Sequence, residues 1–254
     1  MRLATFNILH GRALDGGPVS TERLVEACAS LDADVLALQE VDRGQPRSGG
    51  IDQTAAVAEG MGAAAWRFEP AIVGEPGGRW RPAGDDTEGD GGYGVALVCG
   101  RPVRAWHVLR LAPAAMRSPV FVPGRRAFVL LPDEPRVVLA AELDGGANPS
   151  VVASTHLSFV PVWNALQLRR ATRWLAGLGP SCVLLGDTNL PGALPGLVSG
   201  WQSLARARTF PADQPSMQID HALGHGPLPE VVGVDAPRLA LSDHRALVVE
   251  LAGG

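Results

Sequence analysis

Polar residues with useful chemistry recur along this 254-residue chain beside short apolar runs. They carry carboxylate, amide or imidazole groups, and they are Asn7, Glu40, His156, Asp187, Asn189, Asp220, Asp243 and His244. Each stands where a predicted strand ends or begins, and loops gather at strand ends along one edge of a sheet. Each alone has an ordinary structural explanation, such as a turn or a buried histidine. Their joint occurrence predicts one functional site.

The donor types of this set indicate which chemistry the site would support. The carboxylates and the Asn189 amide supply oxygen atoms, which are the ligands that Mg²⁺ takes in proteins. The two histidines, His156 and His244, could transfer protons or contact a phosphate group. The combination favours metal-dependent hydrolysis.

The elements that must position these residues are strands alternating with helices. Apolar periodicity predicts a strand, an amphipathic helix and a buried strand twice. The segments are 3–8, 21–31 and 35–39, and then 151–157, 163–178 and 182–185. Two such halves favour two β-sheets packed face to face with helices outside.

The middle and the end of the chain read as further strands. A second helix is predicted at 52–61, and the Gly- and Pro-rich stretch 74–92 reads as a long loop. The strands predicted after the loop are 93–99, 103–111, 127–131 and 137–143, followed by 218–223 and 245–251. The spacing of the first four suits an antiparallel meander. No domain boundary is evident, so we expect one domain over residues 1–254.

The composition indicates an acidic globular protein. Its net charge is −4, so the chain as a whole does not strongly attract nucleic-acid phosphates. Three scattered cysteines, Cys28, Cys99 and Cys182, argue against a disulfide framework or a zinc site. No signal-peptide pattern and no membrane-spanning run is evident. We expect a cytoplasmic monomer without a membrane anchor.

The order and spacing of short motifs resemble those of the endonuclease/exonuclease/phosphatase superfamily, which has the DNase I-like fold. Each motif is weak alone, but together they extend over the whole chain. They are Thr5-Phe6-Asn7, Leu38-Gln39-Glu40-Val41, Tyr93-Gly94-Val95-Ala96-Leu97, Thr155-His156-Leu157, Gly186-Asp187-Thr188-Asn189, Thr209-Phe210-Pro211, Ile219-Asp220-His221 and Ser242-Asp243-His244. The resemblance implies an α/β (α+β) fold with four layers, in which two packed mixed β-sheets are flanked by helices.

The resemblance also implies a catalytic Mg²⁺ or Mn²⁺. Glu40 would be its principal ligand, and Asn7 and Asp243 would be ligands or would hold the ligands in place. The metal would polarise a phosphoryl oxygen and stabilise the leaving oxygen. At the position two residues after Asn7, where some nuclease members carry a carboxylate, this chain has Leu9. A second metal ligand on the first strand is therefore not expected.

The remaining five residues would act on the water and the phosphate. By resemblance, Asp187 would orient and activate the attacking water, and Asn189 would hold that water or a phosphate oxygen. His244, paired with Asp220, would be a general acid/base or a charge stabiliser. His156 would make a second contact to the phosphate.

The histidine at the His156 position has a glutamate partner in some members of the superfamily. In this chain Glu88 and Asp90 are the candidates for that carboxylate, because both lie in the loop before Tyr93.

The substrate stays open at this stage, because the fold hosts several activities. The first hypothesis is a phosphodiesterase, including a nuclease. The second is a phosphomonoesterase or a lipid- or inositol-type phosphatase, and the third is a binding protein without turnover. The intact polar set argues against the third. Arginines that could ring the site, or be ordinary solvated side chains, are Arg43, Arg47, Arg79, Arg81, Arg125, Arg126, Arg206 and Arg208.

Overall fold

The computed structural model of the protein describes residues 1–14, 17–87, 91–115, 118–122 and 127–253. Arg125, Arg126 and the candidate carboxylates Glu88 and Asp90 lie outside the described residues. No helix among the described residues is long and apolar enough to span a membrane.

The two strand–helix–strand halves and the second helix predicted from the sequence are present, and the structure adds strands and a helix that the pattern did not predict. In order they are β1 (Arg2–Asn7), α1 (Thr21–Ala29), β2 (Val35–Arg43), α2 (Gln53–Gly60), β3 (Ala65–Gly74), β4 (Trp80–Pro82), β5 (Gly92–Cys99), β6 (Val103–Leu111), β7 (Ser118–Val122), β8 (Ala127–Leu131), β9 (Arg136–Leu143), β10 (Val151–His156), α3 (Trp163–Leu175), β11 (Cys182–Asp187), α4 (Leu194–Ser199), β12 (Gln202–Ser203), β13 (Asp220–His225), β14 (Val231–Asp235) and β15 (Leu247–Leu251).

The strands form two mixed sheets and a separate two-stranded ribbon. The first sheet has the order β14-β15-β1-β2-β5-β3-β4, and the second has the order β12-β13-β11-β10-β9-β6. The ribbon consists of β7 and β8. The expectation of two packed mixed sheets flanked by helices is therefore confirmed.

Each sheet contains one parallel pair joined by a helix. In the first sheet β1 and β2 are parallel, with Asn7 opposite Gln39. In the second sheet β10 and β11 are parallel, with His156 opposite Asp187. Because parallel strands end at the same edge of a sheet, these polar residues reach the same edge in pairs.

Apolar side chains separate the four layers. Residues of both sheets share the central core, including Leu97 and Val249 from the first sheet and Leu139 and Val183 from the second. Helices α1 and α2 pack on the outer face of the first sheet, and α3 packs on the outer face of the second. The side chains of Ser20 and Asp52 cap α1 and α2 by accepting backbone N–H bonds. The three cysteines are buried and free, as the sequence indicates.

The predicted antiparallel meander is wrong. β5 belongs to the first sheet and β6 to the second, and β6 pairs with β9 instead of β8. The chain changes sheets over residues 100–102, where Gly100 and Pro102 interrupt the strand pattern. The predicted loop 74–92 also contains β4, which pairs with β3 and includes Trp80.

Replacing Gly186 with alanine should destabilise the protein, because this residue has φ +148° and its Cβ would lie 2.0 Å from the Thr155 carbonyl oxygen. We expect the free energy of unfolding to fall by about 3 kcal/mol, measured by urea denaturation. Gly100→Ala is the control, because its Cβ would lie 3.5 Å from the Asp34 carbonyl oxygen. Equal stability of both variants would contradict this account of the β10–β11 contact.

Candidate active site

The eight polar residues singled out in the sequence meet at one edge of the sandwich. Asp187 lies at their centre, at the end of β11, and its side chain is almost completely buried. The other seven connect to it directly, or through one further member, by contacts of 4.0 Å or less. The set thus comes from the loops and strand ends of both sheets.

The amide of Asn7 joins the two sheets at this edge. Its Nδ2 donates to Glu40 Oε1 at 3.1 Å and to Asp187 Oδ2 at 3.2 Å. Its Oδ1 accepts a hydrogen bond from the Leu9 backbone N–H. Since the amide nitrogen faces both carboxylates, Asn7 is placed to hold Glu40 in position and does not present an oxygen to it.

Glu40 occupies a β-bulge, and not the end of a strand as the sequence suggests. β2 continues to Arg43, and its pairing with β5 shifts register between Gln39 and Val41. Glu40 has φ +56°, which is rare for a residue with a side chain. The bulge turns the Glu40 carboxylate into the cleft. Burial raises the pKa of Glu40, although the hydrogen bond from Asn7 opposes this effect.

Asp187 is a carboxylate surrounded by both donors and other acids. The backbone N–H of Asn189 donates to its Oδ1 at 2.9 Å, which leaves Oδ2 facing Asn7 and the histidines. His156 Nε2 lies 3.6 Å and His244 Nε2 lies 3.8 Å from that oxygen. Burial, and then the charge of Asp220, raise the pKa of Asp187 to about 7. Near neutral pH it can therefore both accept and release a proton.

His244 and Asp220 form a buried ion pair. His244 Nδ1 lies 2.9 Å from Asp220 Oδ2, and neither side chain is more than 7% exposed. Burial alone lowers the pKa of His244, but the facing carboxylates, Asp220 above all, raise it to about 10. The imidazole is therefore protonated at neutral pH, and its Nε2–H faces Asp187. Phe210 packs against the ring with centroids 4.9 Å apart.

His156 has the opposite electrostatic environment. Burial, followed by the charges of Arg136 and His244, lowers its pKa well below the ordinary value. A neutral imidazole at this place can donate one hydrogen bond without adding charge. Among the described residues its near carboxylate is Asp187, because both acids proposed from the loop before Tyr93 are outside them.

Asn189 holds the loop after β11. It has φ +53°, and its Nδ2 donates to the Leu157 carbonyl at 3.0 Å. Asn164 Nδ2 donates to the Asn189 carbonyl. These bonds fix the backbone N–H that contacts Asp187, so the position of the loop and of the carboxylate are coupled.

Ser242 is a contributor that the sequence reasoning did not single out as a site residue. It is buried with φ +69°, its Oγ donates to the Asn7 carbonyl at 2.5 Å, and the His244 N–H donates to that Oγ. Ser242 thereby ties the loop that carries Asp243 and His244 to the end of β1. Its position directly before Asp243 and His244 in the sequence could have indicated that Ser242 supports the site.

Arg136 is the second contributor missed from the sequence. It is the first residue of β9, is 5% exposed, and its charge lowers the pKa of both Glu40 and His156. β9 is antiparallel to β10, so the beginning of β9 lies at the edge where β10 ends. A search of strand beginnings as well as strand ends would have found it.

One cluster with suitable atoms for a cation consists of Asp187, Asp220 and His244, whose donor atoms lie within 4.8 Å of one another. In this cluster His244 shares a proton with Asp220. A protonated imidazole has no lone pair to offer a metal, so this arrangement suits proton transfer better.

Glu40 and Asp243 fit a divalent cation better. Asp243 Oδ1 is buried and accepts no hydrogen bond from the described residues. The Asp243 charge also adds to the raised pKa of Glu40, so the two carboxylates repel each other. A hard cation would satisfy both oxygens and remove this repulsion.

The described arginines named in the sequence analysis lie in three separate places. Arg47 makes two hydrogen bonds to Asp42, and the Arg43 guanidinium stacks on Phe68 at 4.8 Å. Arg206 and Arg208 are exposed and line a groove that begins beside Gln218. Arg79 and Arg81 are exposed on either side of Trp80 in and beside the edge strand β4.

Comparison with known proteins gives one family. The model of the endonuclease/exonuclease/phosphatase family matches residues 4–244, which include all eight candidate residues. No functionally curated protein matches the sequence significantly.

Solved structures with the same fold cover nearly the whole chain. An endonuclease/exonuclease/phosphatase from Beutenbergia cavernae is 24% identical with a TM-score of 0.69, and the match covers 100% of this chain and 72% of the other. The mannosyl-6-phosphatase Bt3783 of Bacteroides thetaiotaomicron is 15% identical with a TM-score of 0.62, covering 99% of each chain. A humanized D. rerio TDP2 is 15% identical with a TM-score of 0.55, covering 98% and 97%. At these identities the similarity shows the fold alone.

Asp220→Asn should lower the pKa of His244 from about 10 toward the ordinary value near 6.5, because the carboxylate that outweighs burial is removed. The raised pKa means that the pair stabilises the fold fully below pH 6.5 and loses this contribution as the pH rises through about 10. NMR titration of the imidazole in EDTA measures the change. Asp213→Asn, at an exposed ion pair with Arg238, is the control. An unchanged titration of His244 would contradict the pairing.

Proposed function

Because the chain belongs to the endonuclease/exonuclease/phosphatase family, whose members hydrolyse phosphoesters, we propose that it is a divalent-metal-dependent phosphodiesterase. The observation that carries this proposal is the placement of Asp187. Its Oδ2 faces a protonated His244 at 3.8 Å, a neutral His156 at 3.6 Å and the amide of Asn7. A base, Asp187, and an acid, His244, therefore lie close to each other in the site.

Asp187 is suited to take a proton from water. Its pKa of about 7 keeps a large ionised fraction at neutral pH while giving the carboxylate more basicity than an exposed aspartate. The Asn189 N–H holds one of its oxygens, so the other is directed into the cleft. The attacking water would lie against this second oxygen, Oδ2, which also accepts the 3.2 Å hydrogen bond from Asn7.

His244 is suited to stabilise negative charge. As an imidazolium it can donate its Nε2–H to a phosphate oxygen or to the leaving oxygen, while Asp220 fixes the ring through Nδ1. His156 can donate a further hydrogen bond without competing for a proton at neutral pH. The two histidines thus differ in charge, and this difference assigns them different tasks.

Mg²⁺ or Mn²⁺ bound by Glu40 and Asp243 would supply Lewis-acid polarisation of a phosphoryl oxygen. Asn7 would hold Glu40 in position for this role through the 3.1 Å hydrogen bond. We include His156, Asp187, Asn189, Asp220 and His244 as the catalytic set, with Asn7, Glu40 and Asp243 as the metal set.

The charge of the site favours a diester over a monoester. Four carboxylates, Glu40, Asp187, Asp220 and Asp243, interact there, and burial raises the pKa of the first two. A diester brings one negative charge and a monoester up to two, so the repulsion is smaller for the diester. A phosphomonoesterase, including a lipid- or inositol-type phosphatase, is the second candidate.

Purified protein should hydrolyse bis(p-nitrophenyl) phosphate in the presence of Mg²⁺ or Mn²⁺. EDTA should remove this activity, because it removes the cation that would neutralise Glu40 and Asp243. Turnover is followed by nitrophenolate release, with p-nitrophenyl phosphate in parallel and supercoiled plasmid nicking as the test for a nuclease. Faster hydrolysis of the monoester would favour the second candidate. Turnover unaffected by EDTA would exclude the metal, and no turnover of any ester would favour a binding protein.

Glu40→Gln and His244→Ala should each lower kcat by about a hundredfold or more. The first removes a proposed metal ligand, and the second removes the imidazolium that would donate a hydrogen bond to the phosphate. Glu59→Gln, an exposed position on α2, is the matched control and should retain full activity. Circular dichroism melting checks that the variants are folded. Wild-type activity in either site variant would overturn its assigned role.

A further inference from the structure

A cavity of about 220 Å³ lies between the start of β9 and the end of β6, where Arg136 forms part of its lining. Its lining consists of seven apolar residues and two arginines, Arg110 and Arg136. No carboxylate belongs to this lining. The only formal charges that the described lining presents are thus positive.

Both arginines have an unsatisfied donor. The Nε atoms of Arg110 and Arg136 are buried and have no hydrogen-bond partner among the described residues. The Arg136 side chain makes no hydrogen bond to a described residue, and Asp133 Oδ1, which is buried and also without a hydrogen bond, lies 3.6 Å from its Nη2. The deficit is greater at the buried Arg136, because the Arg110 side chain is 30% exposed and its terminal nitrogens donate to Glu69, Pro70 and Gly84. A buried guanidinium without hydrogen bonds is costly, so an anion in the cavity would stabilise it.

Neighbouring acids balance part of the charge from outside the cavity. Glu69 accepts from Arg110 Nη2 at 2.7 Å, and Asp85 is 3.7 Å from Arg110 Nε. Asp133 Oδ2 is committed to the Ala114 N–H and the Ser158 hydroxyl. These acids hold the guanidinium groups in place but leave both Nε–H groups without a hydrogen bond to a described residue.

The cavity is also close to the reaction centre. Arg136 is opposite Leu111 in the β6–β9 pairing, and its charge acts on both Glu40 and His156. A molecule with its reacting phosphate against Asp187 could therefore extend toward the cavity.

We propose that the Arg110–Arg136 cavity is a second anion site, which binds a phosphate, sulfate or carboxylate group on the far part of the substrate. Its size suits one small oxyanion, and guanidinium groups bind such oxyanions through directed N–H bonds. The proposal that an anion binds here depends only on the cavity and its two arginines. The assignment of the anion to the substrate rests on the proposed phosphodiesterase function.

The first test measures inorganic phosphate binding by calorimetry in EDTA at constant ionic strength. It uses His244→Ala as the background, so that the catalytic histidine contributes little to the signal. We expect a binding site in this background, and Arg110→Gln added to it should raise the Kd about tenfold or more. Arg67→Gln is the matched control, because Arg67 also pairs with Glu69 but does not line this cavity.

Arg136→Lys provides an independent variant that keeps the positive charge and removes the Nε–H. It should also weaken phosphate binding, provided that its melting curve shows a folded protein. No phosphate binding in the His244→Ala background, or equal affinity in Arg110→Gln and Arg67→Gln, would overturn the proposal and leave a cavity filled by water.

The second test asks whether the substrate provides the anion. The dinucleotides pTpT and TpT each contain one internal phosphodiester, and only the first has a terminal phosphate. For the wild type we expect a lower KM for pTpT, and Arg110→Gln should remove the difference while Arg67→Gln keeps it. If phosphate binds but pTpT and TpT have equal KM values, the anion site stands and only its assignment to the substrate is overturned. If neither dinucleotide is hydrolysed, the result counts against the phosphodiesterase and not against the anion site.

Discussion

The hydrogen bonds from the Asn7 amide to Glu40 and Asp187 are the interaction on which the rest of the site depends. Each carboxylate belongs to a different sheet, and each is desolvated, so their approach is unfavourable without a shared donor. Asn7 is itself fixed at both ends, by the Leu9 N–H on its side chain and by Ser242 on its carbonyl. The relative position of the two sheets at this edge is thereby coupled to the position of the two acids.

The backbone around the site is strained in a way that serves this coupling. Glu40, Asn189 and Ser242 all have positive φ, which costs about 1–3 kcal/mol for a residue with a side chain. Such conformations persist only where other contacts determine them. Below the cleft, Gln39 Nε2 donates to Ser154 Oγ at 3.2 Å across the sheets, which holds the strand next to the bulge. The strained residues thus lie where their backbone conformation orients side chains of the site, and the packing of the two sheets maintains that conformation.

Strand ends were the part of the site that the sequence could predict. Asn7, His156 and Asp187 follow from the parallel pairs, whose apolar runs are unambiguous and whose ends share an edge. Glu40 was predicted at the correct edge of the sheet but with the wrong local geometry, because an apolar pattern does not reveal a bulge. Arg136 was missed because a charged residue before a strand looks like a solvated one. Burial comes from neighbouring elements that a local pattern does not contain.

The fold, like the site, could be predicted only where the apolar pattern of an element is regular. The two strand–helix–strand halves predicted the pair of sheets, but β3 was not assigned, because Arg67, Glu69 and Pro70 interrupt its apolar pattern. The structure explains this composition: Glu69 is buried between Arg67 and Arg110, whereas Phe68 and Ala71 of the same strand belong to the apolar cores.

Acidic and basic side chains reach the cleft from different elements. The acids that would hold a cation, Glu40 and Asp243, belong to the first sheet and to the last loop, whereas Arg136 begins a strand of the second sheet. A phosphoester between them would meet a cation on one side and guanidinium groups on the other. Because an acidic chain has little general attraction for anions, this local arrangement must provide the orientation that the net charge does not. Under the proposed function, the buried Arg136 would orient a phosphoester together with the cation that Glu40 and Asp243 would hold.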